Sequence, residues 1–246
     1  MDRLIYTAMT GANAAAYRQA VLSNNLANVS TNGFRAELST YRAVPVRGDG
    51  STTRVMALEA TPGFLETPGT PQRTGRALDA MATGNAWFAV QGLDGTEAYS
   101  RNGSFEVASD GSLKTSNGLT VLSDGGSPIN VPAGGEVTLG ADGTLSAKVG
   151  KQPSTGIGRL KLATPTAEDP LKRSNDGLFR TTSGDPMPND ANAKLEPGVL
   201  EGSNVNAIET MVGMIQSARQ FEAQTRLMQT AEADDRAAAQ LLSLQG

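Results

Sequence analysis

The sequence predicts an α+β fold in which long N- and C-terminal helices pair as a coiled coil and a mostly antiparallel β domain lies between them. Two observations support this prediction. Both chain ends carry residues at alternating steps of three and four, which is the spacing of a coiled-coil face. The middle carries Asn-Gly and Asp-Gly pairs between short apolar runs, which is typical of hairpins. The N-terminal stripe is Ile5, Ala8, Ala12, Ala15, Gln19, Leu22, Leu26 and Val29, and the C-terminal stripe is Met211, Met214, Ala218, Phe221, Thr225, Met228, Glu232, Asp235, Ala239 and Leu242.

The helix ends divide the chain into three regions. The first helix is predicted over 2–30, with a stop at 30–33 where Gly33 can adopt a positive φ. The second is predicted over 203–245, with Asn206 as its N-cap. Residues 1–33 and 203–246 then form an inner assembly domain, 34–72 an extended, partly β connector, and 73–202 a β-rich outer domain.

The alanine-rich N-terminal stripe buries little area in any single helix pair. We therefore expect neighbouring molecules to complete the packing, and an isolated monomer with mobile ends and a folded centre. An ordinary amphipathic helix on a globular core is the alternative interpretation of this stripe.

Within the β domain, short strands are predicted between turn signals. The Gly residues of the Asn-Gly and Asp-Gly pairs supply the positive φ of tight turns, and their density predicts an antiparallel meander or small barrel. The predicted strands are 87–91, 98–101, 104–107, 120–122, 129–131, 137–139, 159–163 and 178–181, and the turn glycines are Gly95, Gly103, Gly111, Gly118, Gly143 and Gly177.

The composition argues against catalysis and against several kinds of ligand. The chain has no Cys and no His, which removes thiolate chemistry, the commonest general base and the commonest transition-metal ligand. The net charge of −4, without a basic block, gives little support to nucleic-acid binding. No apolar run is long enough to cross a membrane, and the N-terminus lacks the apolar core of a cleavable signal peptide. We expect no catalytic residue, cofactor or metal.

Three segments carry more specific patterns. Residues 23–35 read SNNLANVSTNGFR, and asparagines in a helix are costly unless they cap backbone groups or bond across an interface. Residues 199–206 read VLEGSNVN and lead into the second helix. In the middle, AWFAVQ at 86–91 is followed by YSRNGSF at 99–105, DGSL at 110–113 and DGLFR at 176–180.

These segments resemble, in order along nearly the whole chain, the signatures of the flagellar rod and hook (axial) protein family. The length and the sequence ARQFE at 218–222 are most similar to proximal rod members, and distal rod members are the alternative. The resemblance implies a structural subunit of the rod, the drive shaft that transmits motor torque from the basal body to hook and filament.

The same resemblance implies partners and a location. The partners are other copies and other rod proteins in a helical assembly, and the flagellar type III export apparatus during secretion. The location is the rod of the basal body, in the periplasm. Two other classes stay open: an enzyme or carbohydrate-binding β domain with helical tails, and a non-flagellar secreted filament or adhesin subunit.

The resemblance and the helical patterns together nominate assembly residues. Helix packing is expected from Leu22, Leu26, Val29, Met211, Met214, Ile215 and Phe221, and hydrogen bonds at the helix ends from Asn24, Asn25, Asn28 and Asn204. Gly33, Phe34 and Val205 lie in the same signatures and complete the set.

Overall fold

A computed structural model describes residues 2–46, 55–59 and 63–243. Predictions that fall on residues 1, 47–54, 60–62 and 244–246, or on the side chain of Leu242, lie outside the described residues. The chain forms two compact units. The helical unit comprises Met1–Val29, Ala36–Leu65 and Val205–Gly246, and the β unit comprises Ser30–Arg35 and Glu66–Asn204.

Within its described residues, the helical unit contains two long helices and four short strands. Helix α1 is Asp2–Ala27 and helix α2 is Ala207–Ser243. The strands are β1 (Glu37–Leu38), β2 (Tyr41–Pro45), β3 (Val55–Glu59) and β4 (Gly63–Phe64). β1 pairs with β4 and β2 with β3, both antiparallel. No helix among the described residues combines the length and apolarity that a membrane crossing needs.

The two helices pack against each other, which confirms the predicted pairing. Small side chains face the partner helix: Ala15 is buried on α1, and the buried Ser217 hydroxyl on α2 donates to the Ala15 carbonyl at 2.7 Å. A Cβ added at Gly213 would lie 3.2 Å from Leu22, so the helix axes are close there. These contacts step in opposite directions along the two helices, so the pair is antiparallel.

The predicted stripes only partly match the buried faces. Ala8, Ala12 and Ala15 are buried as expected, but Gln19 is exposed, and Val21 and Asn25 take over the buried face near the end of α1. On α2 the buried side chains are Thr210, Ser217 and Ala231, one residue away from predicted positions. The predicted set and the set one position away repeat with the same spacing, so the spacing cannot tell them apart. The two helices approach closely, and the set with the smaller side chains is therefore buried between them.

The predicted stop and cap residues are confirmed, but both helices are shorter than predicted. α1 ends at Ala27 rather than at residue 30, α2 begins at Ala207 rather than at residue 203, and Gly33 has a φ of 70°. The Asn206 side-chain oxygen accepts from the backbone N–H groups of Ile208 and Glu209 at 3.1 and 3.3 Å, so Asn206 is the N-cap of α2.

The β unit is built from short strands. They are β5 (Pro71–Arg73), β6 (Ala80–Ala82), β7 (Trp87–Gln91), β8 (Glu97–Ser100), β9 (Phe105–Val107), β10 (Leu113–Thr115), β11 (Thr120–Val121), β12 (Gly135–Leu139), β13 (Thr144–Val149), β14 (Thr155–Arg159), β15 (Leu162–Ala163), β16 (Leu171–Arg173), β17 (Phe179–Thr181), β18 (Leu195–Pro197) and β19 (Val199–Glu201).

These strands form antiparallel sheets, as predicted. The largest sheet has the order β16-β17-β8-β7-β11-β10-β9, with β15 also on β7. A second sheet is β12-β13-β14, and β18-β6 and β19-β5 are two-stranded. The core between them contains Phe88, Phe105, Leu113, Leu145 and Leu160, with the rings of Phe88 and Phe105 edge to face at 5.2 Å.

Three local predictions were wrong. Residues 129–131 form no strand but bridge at Asn130 to Ser112. The stretch 159–163 is split between β14 and β15, because Leu160 donates to Gly143 and Lys161 to Leu122. Gly103 does not have the positive φ of the other five predicted turn glycines. It is a close-approach glycine, since an added Cβ would lie 1.7 Å from the Ala80 carbonyl oxygen.

Candidate functional site

The asparagines at the end of α1 hold the following chain segment within the helical unit. Asn25 is buried, and its side-chain amide donates to the Glu37 carbonyl at 2.9 Å and accepts from the Glu37 N–H at 2.8 Å. This pairing imitates the edge of a strand and fixes β1. Asn24 donates to the Glu37 carboxylate at 3.2 Å, and the Asn28 side chain donates to the Asn24 carbonyl at 2.9 Å. The cost of asparagine in the helix is therefore offset by these bonds.

The segment Ser30–Arg35, here called the docking segment, belongs to the β unit. The Gly33 N–H donates to the Glu201 carbonyl at 2.7 Å. A Cβ at Gly33 would lie 2.3 Å from the Arg101 carbonyl carbon, so glycine is required both for its positive φ and for space. The Phe34 carbonyl accepts from the Asn204 N–H at 3.3 Å, and the Arg173 guanidinium lies 4.5 Å from the centre of the Phe34 ring.

Glu201 is the centre of the site. One carboxylate oxygen accepts from Arg35 Nη2 at 2.7 Å and from the Gly69 N–H at 3.0 Å. The other accepts from Arg101 Nε at 2.7 Å. The Arg35, Arg101 and Glu201 side chains are 3 %, 1 % and 1 % exposed, so this Glu201 cluster is a buried ion triad with one excess positive charge.

Trp87 lies against both arginines. The guanidinium carbons of Arg35 and Arg101 are 5.9 and 5.7 Å from its ring centre, and Phe179 packs on it at 4.6 Å. The ring offers its electron-rich face to two cations that water does not reach. Burial lowers the pKa of Arg35; the Glu201 charge opposes this effect and the Arg101 charge adds to it.

A third stretch of chain joins the cluster at Thr67 and Gly69. The Thr67 carbonyl accepts from Arg35 Nη1 and from the Asn204 side-chain amide, the latter at 2.8 Å. A Cβ at Gly69 would lie 1.9 Å from the Gly202 carbonyl oxygen, so the two backbones touch. Glu201 thus gathers the docking segment, residues 66–70 and residues 199–204.

The remaining nominated residues lie in the helical unit. Leu22, Leu26, Val29, Val205 and Met214 are half-buried. Met211, Ile215 and Phe221 are 50 %, 55 % and 41 % exposed, so none of them packs deeply within this chain. Their nomination as packing residues stays a prediction about contacts with other subunits.

The nominated set omitted the residues that carry the cluster: Arg35, Arg101 and Glu201. Each lies inside one of the three signature segments. A signal was present, because the stretches 23–35, 99–105 and 199–206 each carry a single charged side chain, two of them positive and one negative. What the cluster can do is structural: it holds chain segments together, and no group of metal-ligating side chains was found among the described residues.

Comparisons with known proteins match three regions of the chain, which contain the three signature segments. Residues 5–35 match the model of the "Flagella basal body rod protein" family, and residues 81–147 match the "Flagellar hook protein FlgE/F/G D1 domain". Residues 196–241 match the "Flagellar basal body rod FlgEFG protein C-terminal" model. Each arginine or glutamate of the Glu201 cluster falls in a different matched region.

Full-length relatives cover the same span. The flagellar basal-body rod protein FlgF of Salmonella typhimurium is 44 % identical over 99 % of this chain and 100 % of its own length. FlgF of Caulobacter vibrioides is 30 % identical over 93 % of each chain. The rod protein FlgG of Agrobacterium fabrum is 30 % identical over 94 % of this chain and 95 % of its own. The protein therefore belongs to the flagellar basal-body rod protein family, and its sequence is most like FlgF.

Proposed function

We propose that the chain is a structural, non-catalytic subunit of the proximal part of the flagellar rod, where it helps to form the shaft that carries motor torque toward hook and filament. The identity of 44 % to a FlgF relative, against 30 % to a FlgG relative, supports the proximal over the distal position.

One observation carries the assembly role. Ile208, Met211, Val212 and Ile215 follow the spacing i, i+3, i+4 and i+7 on α2, and they are between 48 % and 76 % exposed. We call this set the outward stripe. Ser217, which contacts α1, lies about 200° around the helix from Ile215. α1 therefore leaves this face open, and an apolar face of this kind is typical of a surface that another protein covers.

The nominated residues fit this proposal as contacts of two kinds. Met211, Ile215 and Phe221 pack against helices of neighbouring subunits, and Leu22, Leu26, Val29 and Met214 support the helix pair beneath. Asn24, Asn25, Asn28 and Asn204 fix the backbone at the helix ends. The partners are further copies of this chain and other rod proteins.

The proposed location is the rod within the periplasm, which the chain reaches through the flagellar type III export apparatus. The composition is compatible with export as an unfolded chain, because a protein without cysteine cannot be trapped by disulfides.

Replacing Ile215 with glutamate tests the assembly role. A charge buried in a subunit interface without a partner costs several kcal/mol, so we expect loss of the subunit from purified hook–basal bodies and loss of swimming. The measurement is fractionation with immunoblotting, together with the diameter of swimming halos.

Gln220→Glu is the matched control, because it introduces the same charge at an exposed position of α2 outside the outward stripe. It should assemble and swim like the unmodified protein. Normal incorporation of Ile215→Glu into basal bodies would exclude the outward stripe as an interface.

A further inference from the structure

The two arginines of the Glu201 cluster are held in different ways. Arg101 follows β8 directly and, besides Glu201, donates to the carbonyls of Gly84 at 3.1 Å and Ala86. Arg35 lies on the short docking segment, and besides Glu201 its side chain donates to the Thr67 carbonyl. Arg101 is therefore anchored in the sheet, whereas Arg35 lies at the end of the six-residue docking segment.

The charge balance of the cluster also distinguishes Arg35 from Arg101. Glu201 and Arg101 alone form a neutral buried pair. Arg35 adds a second buried cation; burial lowers the pKa of this guanidinium, and the Glu201 charge opposes that effect. If Arg35 leaves, it regains hydration, while Glu201 keeps Arg101 and the Gly69 N–H.

The docking segment is buried over only part of its length: Gly33, Phe34 and Arg35 are buried, whereas Ser30 and Thr31 are exposed. Gly33 donates a backbone hydrogen bond to Glu201, and Phe34 accepts one from Asn204. Arg173 covers the Phe34 ring and donates to the Arg35 carbonyl at 3.4 Å. A short connecting segment of this kind opens at lower free energy than a sheet core.

We propose that Ser30–Arg35 is a releasable latch: the β unit folds on the Arg101–Glu201 pair, and the docking segment closes onto that pair in a separate, reversible step. Arg35 is the positioning residue of the latch.

Hydrogen exchange of the full-length protein, followed by NMR, tests this proposal at two amides. The Gly33 N–H, bonded to the Glu201 carbonyl, reports the latch, and the Ala89 N–H, bonded to the Lys161 carbonyl, reports the sheet core. We expect Gly33 to exchange faster than Ala89 in the unmodified protein. Arg35→Met should accelerate Gly33 by roughly 10- to 100-fold, the loss expected for a charge-assisted bond, and leave Ala89 within about twofold.

A steric variant gives an independent check. Gly33→Ala blocks docking without removing a charge, and it should reproduce the exchange pattern of Arg35→Met at the amides of the docking segment. Gly75→Ala is the matched control, because Gly75 has the same φ of 70° but no atom of the described residues lies within 4 Å of an added Cβ. It should leave the latch amides unchanged.

Arg101→Met separates a latch from general loss of structure. Removing the Arg101 guanidinium leaves the Gly84 and Ala86 carbonyls without this donor, so hydrogen exchange should accelerate at both the Gly33 and the Ala89 amide. The emission of Trp87, the single tryptophan, should change in the Arg35 and Gly33 variants while far-UV circular dichroism stays constant. Equal exchange of Gly33 and Ala89 in the unmodified protein, rising together in Arg35→Met, would overturn the latch.

Discussion

Replacing Glu201 with glutamine is expected to destabilise the β unit by about 3–5 kcal/mol, the usual cost of removing one partner from a buried ion pair. The substitution keeps the shape of the side chain but leaves Arg35 and Arg101, 3 % and 1 % exposed, without their counter-charge. Chemical denaturation followed by Trp87 fluorescence measures this loss, because the ring lies within 6 Å of both guanidinium groups.

A surface pair supplies the control for this result. Glu196 and Arg73 also form an ion pair in the β unit, at 4.0 Å, but their side chains are 49 % and 88 % exposed. Glu196→Gln should change the free energy of unfolding by less than about 0.5 kcal/mol. Adding Arg35→Met to Glu201→Gln should restore part of the lost stability, because it removes one of the two uncompensated cations. Equal, small effects of Glu201→Gln and Glu196→Gln would contradict a buried charge cluster.

Replacing Gly103 with alanine is expected to cost about 3 kcal/mol or more, at the upper end of the range for overpacked cores. The added Cβ would lie 1.7 Å from the Ala80 carbonyl oxygen and 3.0 Å from the Phe88 ring. Ala80 and Phe88 are fully buried, and the Ala80 N–H donates to the Gly103 carbonyl at 2.9 Å. Backbone must therefore move to accept the methyl group, and thermal unfolding measures the loss.

Gly156→Ala is the matched substitution for Gly103→Ala. Gly156 also lies in the β unit, within β14, but its φ is not positive and an added Cβ would meet no atom within 4 Å in the part of the chain that the structure describes. The unfolding temperature of the Gly156→Ala variant should stay within about 2 °C of that of the unmodified protein. A similarly small change for Gly103→Ala would show that the Ala80 and Gly103 backbones are not in contact.

Local features were the part of the fold that the sequence predicted well. Gly33 has its positive φ, Asn206 caps α2, and β7 spans the predicted residues Trp87–Gln91. Each depends on side chains within a few positions along the chain, so propensity and turn chemistry decide it. The prediction of a positive φ at Gly103 from the Asn102-Gly103 pair was wrong, because the residue that requires glycine there is Ala80, which is not a neighbour along the chain.

The cluster and the buried face of α2 depend on distant residues. Arg35 and Glu201 are far apart along the chain, and no periodicity connects them. On α2, Ser217 and Met214 belong to stripes of equal period, and only the close approach of α1 at Ala15 and Leu22 selects between them. The small side chains form the buried face because they allow the two helix axes to approach closely. Met211 and Ile215 therefore face outward.

The most direct test of the account is hydrogen exchange of the full-length protein, compared between dilute monomer and purified rods. The central claim is that the terminal helices complete their packing in other subunits, while the β unit is stable alone. In the monomer we expect α1 and α2 amides to exchange at least about 100-fold faster than those of β7, and in rods we expect the helices to become protected. Strong protection of both helices in dilute monomer, unchanged by assembly, would contradict the account.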